Sequence, residues 1–269
     1  QGRQAERNVR TMSRFMIIPR IDKLDESLAL AHEYGFGFEF NDFYSPKVLD
    51  DTELTKSIIE KYKAAGLPDY CTSHGDFFDV LVFSEDKYIR EISRKRIIQS
   101  LEAALKIGAR GVVFHTNHNP YFIADAYVNS WHRYNEEFWN EILPMYPQLN
   151  IYLENMCDSS PKMLANLAKS LCHHKNFSVC FDYAHASVFG RCDIGQWVTE
   201  LAPYVKHLHI NDNDLESDLH LAVGDGKIDW QRFKEYYFKY FSDKTVLIET
   251  SYPETQRRSA EYLKKLGVL

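Results

Sequence analysis

The feature that most constrains the fold is an alternation of short apolar runs with longer stretches of helical periodicity, repeated about eight times. The first helical stretch runs from Leu24 to Tyr34 and the last from Glu254 to Leu266. This alternation predicts an α/β fold, a (β/α)8 TIM barrel of parallel strands surrounded by helices. An open doubly wound sheet normally carries a glycine-rich loop after its first strand, and none follows here. The apolar runs begin at Phe15, Gly37, Tyr70, Gly111, Asn150, Ser178, Val205 and Thr245.

The length of the chain sets the number of domains. The 269 residues suit one barrel, and no proline-, glycine- or serine-rich linker interrupts the alternation. We therefore predict a single barrel domain over residues 13–269. Residues 1–12 are polar, contain three arginines and show no periodicity, so we interpret them as an N-terminal extension outside the barrel.

The charge and the cysteines limit the partners and the compartment. The formal net charge is −6, which gives no general attraction to nucleic acids or anionic membranes. No apolar run approaches the roughly 20 residues that span a bilayer. The five cysteines are an odd number without the spacing of a disulfide framework. We expect a cytoplasmic protein that does not associate with membranes, and a homo-oligomer remains open.

Residue types that bind metals recur where the predicted strands end. The carboxyl ends of barrel strands surround the active site, so these side chains should converge. A cluster of unpaired carboxylates would repel itself, and a bound cation removes that cost. The sequence therefore predicts a divalent metal site. The residues, in chain order, are Glu39, His74, His115, Glu154, Asp182, His185, His209 and Glu249.

The segment after the seventh strand concentrates such residues most densely. His209, Asp218 and His220 fall within a dozen residues, followed by the turn at Gly224–Gly226 and a predicted helix start at Trp230. His209 is a candidate ligand for a single metal ion. Asp218 and His220 are candidate ligands for additional ions, so this segment determines how many metal ions the site could hold.

These motifs together resemble the xylose isomerase-like barrel superfamily, from about Phe15 to Glu249. This superfamily includes sugar isomerases, ketose 3-epimerases, inosose dehydratases, hydroxypyruvate isomerases and endonuclease IV. The motifs identify the superfamily more specifically than any member of it. They are Ser73-His74-Gly75, Val113-Phe114-His115, Leu153-Glu154-Asn155, Cys180 to Ala186, His209-Ile210-Asn211-Asp212, Asp218-Leu219-His220 with Gly224-Asp225-Gly226, and Ile248-Glu249-Thr250.

The resemblance to the isomerase and epimerase branch implies a metal-dependent enzyme acting on a small sugar, sugar phosphate or cyclitol. Such an enzyme would work by proton transfer next to a metal-polarised carbonyl. One zinc, manganese, magnesium or cobalt ion would be held by Glu154, Asp182, His209 and Glu249. Glu154 and Glu249 would move the proton, with His185 as a further catalytic residue. The residues expected to contact substrate are Glu39, His118, Asn155 and Trp230.

The resemblance to endonuclease IV implies an alternative, a zinc phosphodiesterase that cleaves at abasic sites with up to three zinc ions. Against a nucleic-acid partner, the predicted loops at the barrel mouth lack a clamp of lysine and arginine, and the basic clusters fall on the outer helices. The nine zinc ligands of this phosphodiesterase would be His74, His115, Glu154, Asp182, His185, His209, Asp218, His220 and Glu249.

A second alternative is a non-catalytic metal-binding barrel.

Overall fold

The computed structural model describes residues 15–269 and shows a closed barrel of eight parallel strands in chain order. The barrel closes where the first strand pairs with the last, with Phe15 opposite Val246. The predicted (β/α)8 barrel is therefore confirmed, while the extension predicted at residues 1–12 lies outside the described residues. The strands are β1 (Phe15–Ile17), β2 (Gly37–Phe40), β3 (Cys71–His74), β4 (Gly111–His115), β5 (Asn150–Glu154), β6 (Phe177–Asp182), β7 (Val205–Ile210) and β8 (Thr245–Ile248).

The described chain contains ten α-helices, of which nine lie between strands and α10 follows the last strand. Aspartates that cap helix N-termini define several starts; for example, Asp51 accepts a hydrogen bond from the backbone N–H of Leu54. Gly108 ends the longest helix in a left-handed conformation that other residues adopt at a cost. The helices are α1 (Leu24–Tyr34), α2 (Pro46–Leu49), α3 (Thr52–Ala65), α4 (Lys87–Ile107), α5 (Asp125–Ile142), α6 (Lys162–Leu171), α7 (Tyr183–Phe189), α8 (Ile194–Leu201), α9 (Trp230–Tyr236) and α10 (Pro253–Leu266).

The core lies mainly between the strands and the helices. Alternate strand residues such as Phe38, Phe114 and Phe181 belong to one large apolar cluster with the helices. The intervening residues point into the barrel, where a smaller cluster is formed by Val113, Tyr152 and Cys180. Buried polar side chains also lie in this interior, and they bear on the site described below.

Two helices differ from the sequence-based expectation. The residues that follow the sixth strand form α7, a helix that the sequence does not predict, and Asp182 accepts a hydrogen bond from the backbone N–H of His185 at its start. The helix predicted to start at Trp230 is α9, which ends at Tyr236 and continues as a π-helical turn, Tyr237–Phe241. No helix within residues 15–269 has the length and apolar character to cross a membrane.

Candidate metal centre at the strand carboxyl ends

Four predicted ligands meet where consecutive strands end. Glu154, Asp182 and His209 belong to β5, β6 and β7, and Glu249 follows β8 directly. One potential ligand atom from each lies within 4.8 Å of the others. The Nδ1 atom of His209 is 3.3 Å from Glu154 Oε1 and 3.5 Å from Glu249 Oε1. This group, the central group below, has the composition and spacing of a divalent metal site.

A second group shares Glu154 with the central group. The Nε2 atoms of His74 and His115 each lie 3.5 Å from Glu154 Oε2. Both rings are buried, and their centroids are 4.8 Å apart. The two oxygens of Glu154 face different sets of imidazoles, so this carboxylate could act as a ligand in either group.

A third group lies beside the first two. Asp218 Oδ2 is 3.4 Å from His185 Nε2 and 3.1 Å from His220 Nε2. His185 also approaches the central group, with Nδ1 3.3 Å from Glu154 Oε1. The structure thus brings all nine predicted ligands into three adjoining groups.

The histidines are held with one nitrogen facing these groups. In three rings Nδ1 lies 3.0 Å from a backbone carbonyl oxygen. A carbonyl only accepts hydrogen bonds, so Nδ1 must carry the hydrogen, and the lone pair of the neutral ring is on Nε2. Such fixed tautomers are typical of metal-binding histidines. The pairs are His74 with Gly75, His185 with Asn155, and His220 with Glu249.

Glu39 lies inside the barrel beside His209, the histidine of the central group. Its Oε1 atom lies 3.0 Å from His209 Nε2, while its Oε2 atom accepts a hydrogen bond from Thr72 and lies 3.1 Å from His207 Nε2. Glu39 is fully buried. The Glu39 carboxylate, which the sequence predicts to contact substrate, lies on the Nε2 side of His209, away from the nitrogen that faces Glu154. Sequence reasoning missed the role of Thr72, whose contact with Glu39 links neighbouring strands.

Substitution of Glu39 with glutamine is expected to weaken metal binding about 10- to 100-fold, since outer carboxylates raise the basicity of ligating histidines. Competition against a chromogenic chelator measures this affinity. Thr245→Val is the matched control, because Thr245 contacts His207 but not His209. An unchanged affinity in Glu39→Gln would show that Glu39 does not support the ligand.

Buried polar atoms in these groups have no hydrogen-bond partner within the described residues. Such atoms are costly unless a bound group satisfies them. Their number and their convergence fit a divalent cation, for which carboxylate oxygens and imidazole nitrogens are ordinary ligands. They include Oε1 and Oε2 of Glu154, Oδ2 of Asp182, Nδ1 of His209 and Oδ1 of Asp218.

The pKa values of Asp182 and His185 indicate an excess of negative charge in these groups. Burial, together with the nearby Glu249 and Glu154 carboxylates, raises the pKa of Asp182 well above its ordinary value. Burial opposes protonation of His185, but Asp182 and Asp218 raise its pKa well above the ordinary value. Because the raised pKa values of Asp182 and His185 favour their protonated forms, binding of a metal ion should release protons.

The exposure of the side chains increases from the centre to the third group. Glu154, Asp182 and His209 are completely buried, whereas the side chain of Glu249 is 9% exposed. In the third group, Asp218 is 25% and His220 37% exposed. Solvent and substrate would therefore approach from the side of the third group.

Two residues predicted to bind substrate form hydrogen bonds within the protein. The side chain of Asn155 is buried and bonds to both the N–H and the carbonyl of Asp182. Trp230 is buried, and its indole N–H donates to Asp212 Oδ2 at 2.7 Å. Asp212 also accepts from the N–H groups of Gly224 and Ile228, so it shapes the segment that carries the third group.

His118 lies apart from the three groups, and a fourth set of residues shares only His209 with them. His118, predicted to bind substrate, is a constituent of none of them and lines a neighbouring cavity. Cys180, His207 and His209 also approach one another inside the barrel. There, both nitrogens of His207 already face Thr245 and Glu39, which leaves no lone pair for a cation.

Comparison with known proteins shows where this architecture recurs. The sequence model described as xylose isomerase-like TIM barrel matches residues 28–266. The uncharacterised protein MJ1311 of Methanocaldococcus jannaschii is 25% identical over 201 residues, 71% of this chain and 68% of that protein.

Two solved structures share the fold, each at 22% identity and a TM-score of 0.76. The TTHB071 protein from Thermus thermophilus, soaked with ZnCl2, aligns over 94% of this chain and 97% of its own. A D-tagatose 3-epimerase-like protein aligns over 94% and 96%, respectively. At this identity the likeness shows a common fold.

Proposed function

The chain belongs to the xylose isomerase-like TIM barrel family, and from this premise we propose that it is a divalent-metal-dependent isomerase or epimerase of a small carbohydrate. The central group is the observation that carries the proposal. Glu154, Asp182, His209 and Glu249 would hold the cation, and their buried unpaired atoms fit it. When bound, the cation supplies polarisation of a ketose carbonyl and its neighbouring hydroxyl.

The chain's own residues supply the proton transfer. Glu249 is the most exposed side chain of the central group, so we assign it removal of the proton from the carbon beside the carbonyl. Glu154 is less suited to this task, because it is fully buried among imidazoles. We assign return of the proton to the pair of Glu154 and His185, whose nearest atoms are 3.3 Å apart.

A small substrate is favoured over duplex DNA by the positions of the basic residues. The basic clusters lie on the outer helices, and several of their charges are paired: Arg94 pairs with Glu141 at 2.7 Å, and Arg96 with Asp50 at 2.6 Å. Binding of a duplex requires cations that neutralise phosphates along a continuous surface. Paired cations on α4 do not supply that surface.

Exchange of solvent deuterium into a ketose tests the proposed function. Protein loaded separately with magnesium, manganese, cobalt or zinc is incubated with D-tagatose, D-fructose or L-ribulose in D2O. We expect the proton NMR signal of the carbon beside the carbonyl to disappear from at least one sugar, and not in samples without protein. No exchange in any combination would count against the proposal.

A second candidate function, a trinuclear zinc phosphodiesterase, is favoured by the two groups that adjoin the central one. A mononuclear isomerase needs neither His74 nor His115 as ligand, yet both face Glu154. Elemental analysis together with cleavage of a duplex containing an abasic site separates the candidates. Three zinc ions per chain with cleavage at low salt would support the phosphodiesterase. One exchangeable ion without cleavage would support the isomerase.

A further inference from the structure

A cavity of about 440 Å³ adjoins the metal centre between the segments that follow β4, β5 and α7. Phe189 lines it, and the centroid of its ring lies 6.0 Å from that of the predicted ligand His185. Cys157 forms another part of the wall. A substrate with one end at the metal centre could therefore extend into this space.

His118 lines the cavity with unsatisfied polar atoms. Its side chain is only 8% exposed, and neither ring nitrogen has a hydrogen-bond partner within the described residues. The nearest carboxylate oxygen, on Asp158, is 3.7 Å from Nδ1, which is too long for a hydrogen bond. Because buried polar groups in proteins are usually satisfied, this ring indicates a missing ligand.

Arg191 lines the same cavity and forms no ion pair with any residue in 15–269. Its guanidinium lies over the ring of Tyr121, 5.5 Å from the ring centroid. Its backbone N–H donates to Ser159 O at 2.8 Å, which fixes the start of the side chain. Arg94 and Arg96 on α4 are paired with carboxylates, whereas the five N–H donors of Arg191 remain available for a ligand.

We propose that this cavity binds an anionic group, a phosphate or a carboxylate, at the end of the substrate remote from the reacting carbons. Arg191 donates a forked pair of hydrogen bonds to the anion, and His118 donates one more from inside. This inference rests on the proposed function, since it places the reacting carbons at the metal centre. It narrows the substrate class to acidic derivatives of small carbohydrates.

Calorimetric titration of the metal-loaded protein tests the inference without turnover. The probes are D-fructose, D-fructose 6-phosphate and D-fructuronate, which differ in the group at the terminal carbon. We expect at least one charged sugar to bind about tenfold or more tightly than D-fructose, as one charge-assisted contact would give. Arg191→Gln should abolish this preference. Arg133→Gln, which alters another arginine stacked on a tyrosine, should preserve it.

The outcomes separate the sources of the anion and the two proposals. Preference for the phosphate alone, for the carboxylate alone or for both identifies the anion that the cavity accepts. Equal binding of all three sugars, or binding of none, overturns the inference. A preference that survives in Arg191→Gln also overturns it, because the metal centre would then hold the anion. Failure of the proposed function would instead appear as absent deuterium exchange with the anion preference intact.

Discussion

Replacing Glu154 with alanine is expected to remove the metal ion proposed for the central group and to reduce turnover by about a thousandfold or more. The reason is that Glu154 belongs to both the central group and the group of His74 and His115. A thousandfold loss corresponds to about 4 kcal/mol of transition-state stabilisation, which is ordinary for loss of a catalytic metal. Elemental analysis after gel filtration gives the stoichiometry, and circular dichroism verifies the fold.

Glu216→Ala is the control for this experiment, because Glu216 is an exposed acidic residue in the segment between His209 and His220. It should keep the wild-type metal content. Wild-type metal content in Glu154→Ala would show that Glu154 is not a ligand of the central ion.

Substitution of Glu249 with glutamine is expected to preserve the fold and to reduce deuterium incorporation about 10²- to 10⁴-fold, the range attributed to a general base. The amide can still offer an oxygen ligand, but it cannot accept the proton. NMR at saturating metal measures the exchange and keeps weakened metal affinity from dominating the result. Unchanged exchange in this variant would assign the proton transfer to a different residue.

Glu254→Gln provides the matched control, since it makes the same chemical change a few residues further along the chain. The Glu254 carboxylate pairs with Lys23 on the surface at 2.8 Å. Exchange should remain at the wild-type rate. A similar decrease in both variants would indicate a general effect on the segment after β8.

The positions of the candidate ligands could be predicted because a barrel makes them depend on local sequence. Each strand is recognisable as a short apolar run, and parallel strands bring their carboxyl ends together. His74, Glu154 and His209 therefore needed no knowledge of long-range contacts to be placed near one another. The division into three groups with a shared Glu154 depends on side-chain directions, which the strand pattern does not provide.

The sequence did not predict the contacts that Glu39, Asn155 and Trp230 make inside the protein. All three lie near strand ends or the adjoining segment, so sequence position made them candidates for substrate contact. In the structure their side chains bond to His207, Asp182 and Asp212, respectively. Such partners are distant in sequence, which explains why periodicity and spacing could not identify them.

The helix that begins after Asp182 was also missed, for a physical reason. Its seven residues are too few to show helical periodicity, and Asp182 was interpreted only as a ligand. In the structure one oxygen of Asp182 caps this helix, while the other has no hydrogen-bond partner within the described residues. A ligand and a helix start thus share one residue, which fixes His185 relative to the central group.

The rising exposure from Glu154 to His220 has a kinetic consequence. Ions bound at the three groups would differ in residence time, since an ion held by Asp218 and His220 could leave directly to solvent. An ion at Glu154, Asp182 and His209 would have to pass outward through the site to escape. Occupied as a set, the groups would fill from the interior outward and empty in the reverse order. A chain of this design could keep a resident ion at its centre while exchanging the outermost one with its surroundings.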